Sequence, residues 1–345
     1  MKKKLLALGL AGMMMLGALV GCGGSGDTGG TDAGNTDAGA STDGGASASG
    51  KLKIGMALPA RDQFQSDAEK AATKLAESEG VDFKAFDANN DISAQISQVQ
   101  TCATDGYDAM IVALVNNDSA AEIIQAAGDM PIVFYNRMPT DLTLLNENHV
   151  YIGMDEAEAG KAQGVYLAEM LKAENKTDVS GVLLRGPLGQ DSVTKRSDGV
   201  KAALKDAGIN VTWVYEDTAE WDRAKAMDKF TQFMGSGKAY DFVVCNNDDM
   251  ALGVAEAMNT AAGKITAPIV GIDATENGCN GVKDGSLAAT VNQDPNVQGE
   301  GSLKLAIELA KGEKPSEVND QFVQFAAPDT VTKDNVDQFL ANFAK

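Results

Sequence analysis

The sequence alternates between short apolar segments and longer segments in which apolar residues recur every three or four positions. Residues 51–58 form an apolar run of strand length, and residues 64–80 follow with Ala68, Ala72 and Leu75 at helical spacing. These offsets place the three side chains on one face of a helix, which is typical of a helix packed on a sheet. The pair therefore predicts a strand followed by a helix that covers it.

The same alternation continues along the rest of the chain. Further strands are predicted at 81–86, 108–115, 131–136, 150–154, 181–185, 211–215, 241–245, 268–272 and 287–291. Further helices are predicted at 92–103, 119–128, 157–172, 194–207, 223–234, 250–260 and 297–311, before a last short strand and helix. Apolar strands separated by amphipathic helices are typical of parallel sheets with right-handed crossovers.

The predicted elements fall into two runs of comparable length, and the second run opens at strand 150–154. The predicted fold class is α/β, with two doubly wound parallel-sheet lobes joined by a hinge that the chain crosses three times. We predict an N-terminal lobe of residues 51–154 and 295–328, and a C-terminal lobe of residues 155–294 and 329–345. The crossings are expected near 154–155, 294–295 and 328–329. In such a fold the ligand lies in the crevice at the carboxyl ends of the strands.

The first 22 residues have the features of an export signal. Lysines at 2–4 precede an apolar stretch at 5–20 that is short for a membrane-spanning helix. Residues 19–22, Leu-Val-Gly-Cys, resemble the lipobox of bacterial lipoproteins, which implies a signal peptide of residues 1–21 and lipid on Cys22. The alternative is an ordinary signal peptide with a chance cysteine. Residues 23–50 are almost wholly small and polar and predict a flexible linker, so we expect an extracytoplasmic protein anchored to the cell membrane through Cys22.

Composition narrows the possible partners. The formal net charge of −20 argues against nucleic acid or an anionic lipid surface as the ligand of the folded body. Besides Cys22, the chain has Cys102, Cys245 and Cys279. This odd, widely spaced set predicts neither a disulfide framework nor a zinc site.

Several short motifs stand where predicted strands end. They are Asp-Gln-Phe at 62–64, Pro-Ile-Val-Phe-Tyr-Asn at 131–136, Asp-Thr-Ala-Glu-Trp-Asp at 217–222, Asn-Asn-Asp at 246–248, Gly-Ile-Asp-Ala at 271–274 and Thr-Val at 290–291. In this order and spacing the sequence resembles the periplasmic glucose/galactose-binding proteins, within the ribose-type sugar-binding group of ABC importers. The resemblance extends from residue 54 to about residue 337.

The resemblance implies a monosaccharide site. It places Phe64 and Trp221 on opposite faces of a pyranose, whose C–H faces pack on flat aromatic rings. The resemblance also implies polar binding residues whose planar side-chain groups can bridge adjacent hydroxyls of the sugar. They are Asp62, Asn136, Arg196, Asn247 and Asp273. For Asp62 and Asn247 the alternative interpretation is a helix cap alone.

Some positions depart from the glucose/galactose pattern. Gln190 stands where that pattern has a histidine, and Ser192 replaces an aspartate, with Asp191 one position away. Arg137 and Gln293 instead match ribose-binding relatives. We predict glucose or galactose as the ligand, with a pentose (ribose or xylose) or a nucleoside as alternatives, and include Arg137, Gln190, Asp191 and Gln293 in the site. The family's calcium loop would fall at 173–180, which is too short and has too few carboxylates, so we predict no metal and no cofactor.

The competing class is a carbohydrate-acting enzyme in which Asp62 and Asp273 serve as the two carboxylates. Amide and guanidinium neighbours tend to hold such carboxylates ionised, which suits binding rather than proton transfer. His149, the single histidine, lies in a connecting segment, and no nucleophile elbow is present. A repressor's effector-binding core shares this fold, but the export signal excludes it. We predict a monomeric binding protein, not an enzyme, whose hinge closes on the sugar for recognition by an ABC permease.

Overall fold

The structure, a computed structural model, describes residues 50–343, and strands and helices alternate through most of that range. The strands are β1 (Lys53–Leu58), β2 (Asp82–Asp87), β3 (Ala109–Val112), β4 (Ile132–Tyr135), β5 (His149–Met154), β6 (Asp178–Arg185), β7 (Asn210–Thr218), β8 (Phe242–Cys245), β9 (Ile269–Val270), β10 (Thr290–Asn292), β11 (Val323–Ala326) and β12 (Asp329–Val331). The helices are α1 (Gln63–Glu79), α2 (Ile92–Thr104), α3 (Ala120–Ala127), α4 (Glu156–Ala173), α5 (Asp191–Asp206), α6 (Arg223–Gly235), α7 (Asp248–Ala262), α8 (Glu276–Asp284), α9 (Pro295–Ala310) and α10 (Val336–Phe343).

Two parallel sheets organise these elements. The first sheet has the order β11-β5-β4-β3-β1-β2, and the second has the order β7-β6-β8-β9. All neighbours within these two sheets run parallel. The central strands β3, β4 and β8 are buried along their whole length, which explains their continuous apolar sequences.

The chain passes between the two sheets three times. It leaves the first sheet after β5 to enter α4, returns between β10 and α9, and leaves again between β11 and β12. Helix α9 packs against α1 over the first sheet, whereas α4 and α5 pack together in the second lobe. The predicted fold class, two parallel-sheet lobes joined by a three-crossing hinge, is confirmed.

Glycines allow α4 and α5 to pack closely, and Gly160 stands at the tightest contact. A Cβ on Gly160 would come 2.1 Å from the backbone oxygen of Arg196, so only glycine allows the two helices to approach this closely. The close approach brings the side chain of Arg196 within reach of Glu156 at the start of α4. The packing of two helices thus positions a charged pair beside the hinge.

The structure corrects four sequence predictions. Strand β5 belongs to the first sheet and does not open the second run. Helix α8 was not predicted, because its two glycines and two asparagines are poor helix formers, although Cys279 and Val282 pack into the core. Strand β10 is shorter than predicted and pairs antiparallel with β12, while isolated parallel bridges link its segment to residues 270 and 273. The chain ends with two strands before α10 rather than one.

Cys102, Cys245 and Cys279 are buried and unpaired. Within residues 50–343, no helix is long and apolar enough to cross a membrane. The predicted signal peptide, Cys22 and most of the predicted linker lie outside the described residues.

Candidate functional site

Loops at the carboxyl ends of the strands of both sheets meet around one small cavity. Nine of the eleven predicted binding residues line it: Asp62, Phe64, Asn136, Arg137, Arg196, Trp221, Asn247, Asp273 and Gln293. Three further residues complete the lining: Gln65 and Glu156, which the sequence did not single out, and Ser192, which it indicated only as a departure from the glucose/galactose pattern. The cavity is about 30 Å³ in volume and shares Asp62, Arg137 and Trp221 with a cleft of about 980 Å³.

On the wall from the first lobe, two predicted residues are fixed by the ends of local elements. Asp62 caps α1, its Oδ1 accepting a hydrogen bond from the Gln65 amide at 2.8 Å. Asn136 follows β4 with φ +61°, a left-handed conformation that asparagine tolerates. Its Oδ1 accepts from Gln65 Nε2 at 3.0 Å, and Gln65 Oε1 in turn accepts from the Tyr135 hydroxyl. Gln65 therefore orients Asn136 so that its amide nitrogen remains as a donor.

Arg137 is buried in the same wall. Its Nη1 donates to the backbone oxygens of Leu114 at 3.0 Å and Val115 at 3.3 Å. Burial lowers the pKa of Arg137, while the nearby charge of Asp62 acts in the opposite direction. Because carbonyl oxygens engage only one end of the guanidinium, its other N–H groups can serve a ligand.

On the wall from the second lobe, Arg196 is the centre of a buried polar network. Its Nε donates to Glu156 Oε2 at 2.5 Å, and its Nη2 donates to Glu156 Oε1 at 3.0 Å. Nη2 also donates to Gln293 Oε1 at 3.2 Å, and Nη1 donates to the Asn246 carbonyl at 2.7 Å. Burial disfavours the charged guanidinium, but the charge and hydrogen bonds of Glu156 outweigh it, so the pKa of Arg196 is raised. One N–H group of Nη1 is thus left to face Asp273.

Asp273 occupies a strained turn after β9. Its φ of +125° lies in a region that residues with side chains rarely adopt, and it is 4% exposed. Its Oδ1 lies 3.7 Å from Arg196 Nη1, a long contact that compensates the buried negative charge only in part. Burial raises the pKa of Asp273 well above its usual range, and the positive charge of Arg196 opposes this only in part. In its charged form the group can accept hydrogen bonds from a ligand, and such bonds would in turn favour the charged form.

Trp221 supplies an aromatic wall in the loop between β7 and α6. Its ring lies against Gly186, where an added Cβ would come 2.3 Å from Trp221 Cζ2. Its Nε1 donates to Gln190 Oε1 at 2.9 Å, and its backbone has φ +64°. The guanidinium of Arg196 lies 5.5 Å from the ring centroid. The indole is thus fixed at its edge and on one side, while it still lines the cavity together with Phe64.

Asn247 and Gln293 complete the predicted set within the cavity. Asn247 caps α7 by accepting from the Met250 amide at 3.0 Å, and its Nδ2 lies 3.5 Å from the Trp221 carbonyl. Gln293 is 1% exposed, and its side chain is held by Arg196 and by Glu156. Gln293, the residue that matches ribose-binding relatives, is therefore hydrogen-bonded mostly to protein groups.

Gln190 and Asp191 do not line this cavity. Gln190 borders the larger cleft and reaches the site through its hydrogen bond to Trp221. Asp191 forms an ion pair with Lys195 at 2.7 Å, one turn along α5. It borders a second cavity of about 50 Å³, which shares Asn136, Arg137, Glu156 and Ser192 with the central cavity. The resemblance to the glucose/galactose pattern placed both in the predicted site. Gln190, the residue before α5, instead bonds to Trp221, and Asp191 pairs with Lys195.

The chemistry of the lining suits a compact polar ligand with adjacent hydroxyl groups. Carboxylates and amide oxygens supply acceptors, the guanidinium and amide nitrogens supply donors, and two aromatic rings supply apolar surface. Among the described residues, no cluster of His, Cys, Asp or Glu side chains has the geometry of a metal site.

Comparison with known proteins places the chain in a family. The sequence profile of the periplasmic binding protein domain matches residues 54–314. A putative rhizopine-binding protein of Rhizobium meliloti is 32% identical over 239 residues, which is 68% of this chain and 76% of that protein. A D-galactose/methyl-galactoside binding periplasmic protein of Haemophilus influenzae is 32% identical over 296 residues, which is 81% of this chain and 88% of that protein.

A solved structure supports the same assignment. An ABC transporter solute binding protein from Bacillus halodurans, with bound myo-inositol, is similar with a TM-score of 0.75 and 30% sequence identity. The similarity covers 85% of this chain and 99% of the solved chain.

Proposed function

The chain belongs to the periplasmic binding protein family, and we propose that it is the extracytoplasmic sugar-binding component of an ABC importer, with glucose or galactose as its ligand. Its relatives and structural neighbours are substrate-binding proteins rather than enzymes, and so is this chain. The observation that carries the proposal is the convergence of two aromatic rings, two arginines and two desolvated carboxylates on one cavity between the lobes.

A pyranose would use both kinds of lining. Phe64 and Trp221 offer apolar faces to its C–H groups, as the sequence resemblance implies. The hydroxyls would donate to Asp62 and Asp273, whose charges burial disfavours and ligand donors would stabilise. The ring hydroxyls would also accept from the free N–H groups of Arg137.

The structure favours a hexose over the alternatives for two reasons. The aromatic wall at Trp221 is fixed by Gly186 and Gln190, which suits the C–H face of a six-membered sugar ring. The ribose-like Gln293 is engaged by Arg196 and Glu156, so its presence carries less weight for a pentose. The second candidate is a six-membered cyclic polyol, because the similar solved structure contains myo-inositol.

Binding requires the lobes to separate and close. The cavity lining comes from both lobes, so a sugar would enter while the lobes are apart and be enclosed as they close. A hydrogen bond from Asn277 Nδ2 to Gln63 Oε1, 3.1 Å long, joins α8 in the second lobe to α1 in the first. We propose that this contact forms on closure and that an ABC permease recognises the closed form. Small-angle scattering should show a smaller radius of gyration with sugar, and an unchanged radius would contradict closure.

We also propose that the protein acts as a monomer tethered to the membrane through lipid on Cys22. The support is the basic, apolar and Leu-Val-Gly-Cys sequence of residues 2–22. The substitution Cys22→Ser should release the protein from membranes without weakening sugar binding. Retention of the variant on membranes after a carbonate wash would refute the anchor.

A thermal-shift screen tests the proposed ligand class, because a ligand that binds only the folded state raises the melting temperature. The panel contains glucose, galactose, ribose, xylose, myo-inositol and a nucleoside, followed by calorimetry on the compounds that shift the transition. We expect glucose or galactose to give the largest shift. A panel without any response would refute sugar binding, and a response to the nucleoside alone would reassign the ligand class.

A further inference from the structure

Asp248, directly after the cavity residue Asn247, is buried completely beneath the turn that carries Asp273. Its Oδ2 accepts hydrogen bonds from the Thr275 amide at 3.0 Å and from the Thr275 hydroxyl at 3.3 Å. Its Oδ1 accepts from the Thr290 hydroxyl at 2.6 Å. Its carboxylate therefore connects the start of α7 to the turn after β9 and to strand β10.

The turn that these bonds reach is strained. Asp273 has φ +125° and Ala274 has φ +50°, and both lie in the region that residues with side chains rarely adopt. The Ala274 amide donates to the Thr290 hydroxyl at 3.2 Å, and the same hydroxyl donates to Asp248. Such a conformation persists only where surrounding contacts determine it, and the relay from Ala274 through Thr290 to Asp248 is such a contact.

The surroundings of Asp248 are shaped to its carboxylate. A Cβ on Gly278 would come 1.9 Å from Asp248 Oδ2, and a Cβ on Gly271 would come 2.3 Å from Asp248 Oδ1. Both glycines therefore leave room for the Asp248 carboxylate. Burial raises the pKa of Asp248 to about 7, although the hydrogen bonds from Thr290 and Thr275 act in the opposite direction. A buried carboxyl is costly to retain for packing alone.

We propose that Asp248 is a positioning residue for the sugar site, which holds the Asp273 turn in its binding conformation through Thr290 and Thr275. The inference rests on the proposed function, because it assigns Asp273 to the ligand. Since Asn247 precedes Asp248 and contacts the Trp221 carbonyl, one helix start fixes three parts of the second-lobe wall.

The matched pair Thr290→Val and Thr290→Ser tests the relay. Valine keeps the shape of threonine but leaves the Ala274 amide and one Asp248 oxygen without a partner, whereas serine keeps the hydroxyl. We expect Thr290→Val to weaken binding of the best sugar of the panel about tenfold or more, and Thr290→Ser to stay within about threefold. Asp248→Asn should also weaken binding, because an amide nitrogen must replace one of two accepting oxygens.

Three further variants separate positioning from general damage to the lobe. Gly278→Ala should reproduce the loss of affinity, since its methyl group must displace the Asp248 carboxylate. Gly235→Ala, in the same lobe, has open space around the added methyl and should bind as the unmodified protein does. Asp228→Asn, an exposed aspartate on α6, is the matched charge control. Unmodified affinity in folded Thr290→Val and Asp248→Asn would overturn the proposal.

A measurement on the unmodified, sugar-free protein keeps the test independent of variant folding. The relay predicts that the Ala274 and Thr275 amides exchange with solvent as slowly as those of the buried strand β8. Rapid exchange at both amides would also overturn the proposal. If the unmodified protein binds no sugar of the panel while these amides are protected, the proposed function fails but the restrained turn stands.

Discussion

Replacing Glu156 by glutamine should disturb both stability and sugar binding, because Glu156 holds the guanidinium of Arg196. Both side chains are buried, at 10% exposure for Glu156 and 5% for Arg196, and two hydrogen bonds of 2.5 and 3.0 Å join them. Glutamine keeps one oxygen, which can still accept from Arg196 Nη2. Its amide nitrogen would then face the Arg196 Nε–H group, donor against donor.

The magnitude follows from the geometry. Removing one partner of a buried ion pair typically costs about 3–5 kcal/mol, because the remaining charge is left uncompensated. Glutamine recovers about 1 kcal/mol through its one remaining hydrogen bond. We therefore expect Glu156→Gln to lower the free energy of unfolding by about 2–4 kcal/mol. The released Arg196 should also weaken sugar binding, since its Nη1 lies beside Asp273.

The assay is urea unfolding followed by fluorescence, together with calorimetric titration of the best sugar. Glu158→Gln provides the matched control on the same helix. Glu158 pairs with Lys161 at 3.0 Å, but the side chains are 51% and 57% exposed. An exposed pair of this kind contributes at most about 1 kcal/mol, so the control should unfold close to the unmodified protein.

If Glu156→Gln and Glu158→Gln lowered the free energy of unfolding equally, the argument from the buried ion pair would be refuted. A loss below about 1 kcal/mol for Glu156→Gln would mean that burial does not enforce the pairing. A large loss of stability with unchanged sugar affinity would show instead that the Arg196 network supports the hinge without acting on the ligand.

Three further outcomes test the site. Trp221→Ala should weaken sugar binding by about 1–3 kcal/mol in calorimetry, the scale of a buried ring contact, and an unchanged dissociation constant would remove the indole from the site. Because burial raises the pKa of Asp273 and sugar hydroxyls favour its charged form, affinity should rise with pH as this carboxyl ionises, with proton release on binding. Asp273→Asn should weaken binding and flatten that dependence. The double variant Gln190→His and Gln293→Asn should favour glucose or galactose over ribose or xylose, and an unchanged ranking of the four sugars would argue against these positions as determinants.

The sequence was sufficient for the fold, and nine of its eleven predicted binding residues line one cavity. Apolar strands and amphipathic helices alternate clearly along the chain. Polar residues such as Asp62 and Asn247 follow the carboxyl ends of strands, which is where ligands bind in folds with parallel sheets. For these two residues the sequence leaves helix capping and ligand binding as alternative interpretations. The structure shows that each caps a helix while it also lines the cavity, so the two roles are compatible.

The residues that hold the cavity-lining side chains in place could not be predicted from the sequence. Gln65, Glu156 and Asp248 each stand in the first turn of a helix, where polar residues are common for local reasons. Their partners are distant in sequence: Asn136 is 71 residues from Gln65, Arg196 is 40 residues from Glu156, and Thr290 is 42 residues from Asp248. A pattern that reflects local periodicity has no information about such pairs.

The helix that the sequence failed to predict supports the same reasoning. Helix α8 carries Gly278 and Gly281, which lower helix propensity by about 1 kcal/mol each relative to alanine. Gly278 stands where a methyl group would come 1.9 Å from the buried carboxylate of Asp248. The low helix propensity of glycine is therefore accepted at Gly278, where the tertiary structure needs space for a charged group beneath the Asp273 turn. Departures from local preference are expected at functional sites. The glycine at 278 therefore indicates a role for Asp248 independently of the hydrogen bonds that Asp248 makes.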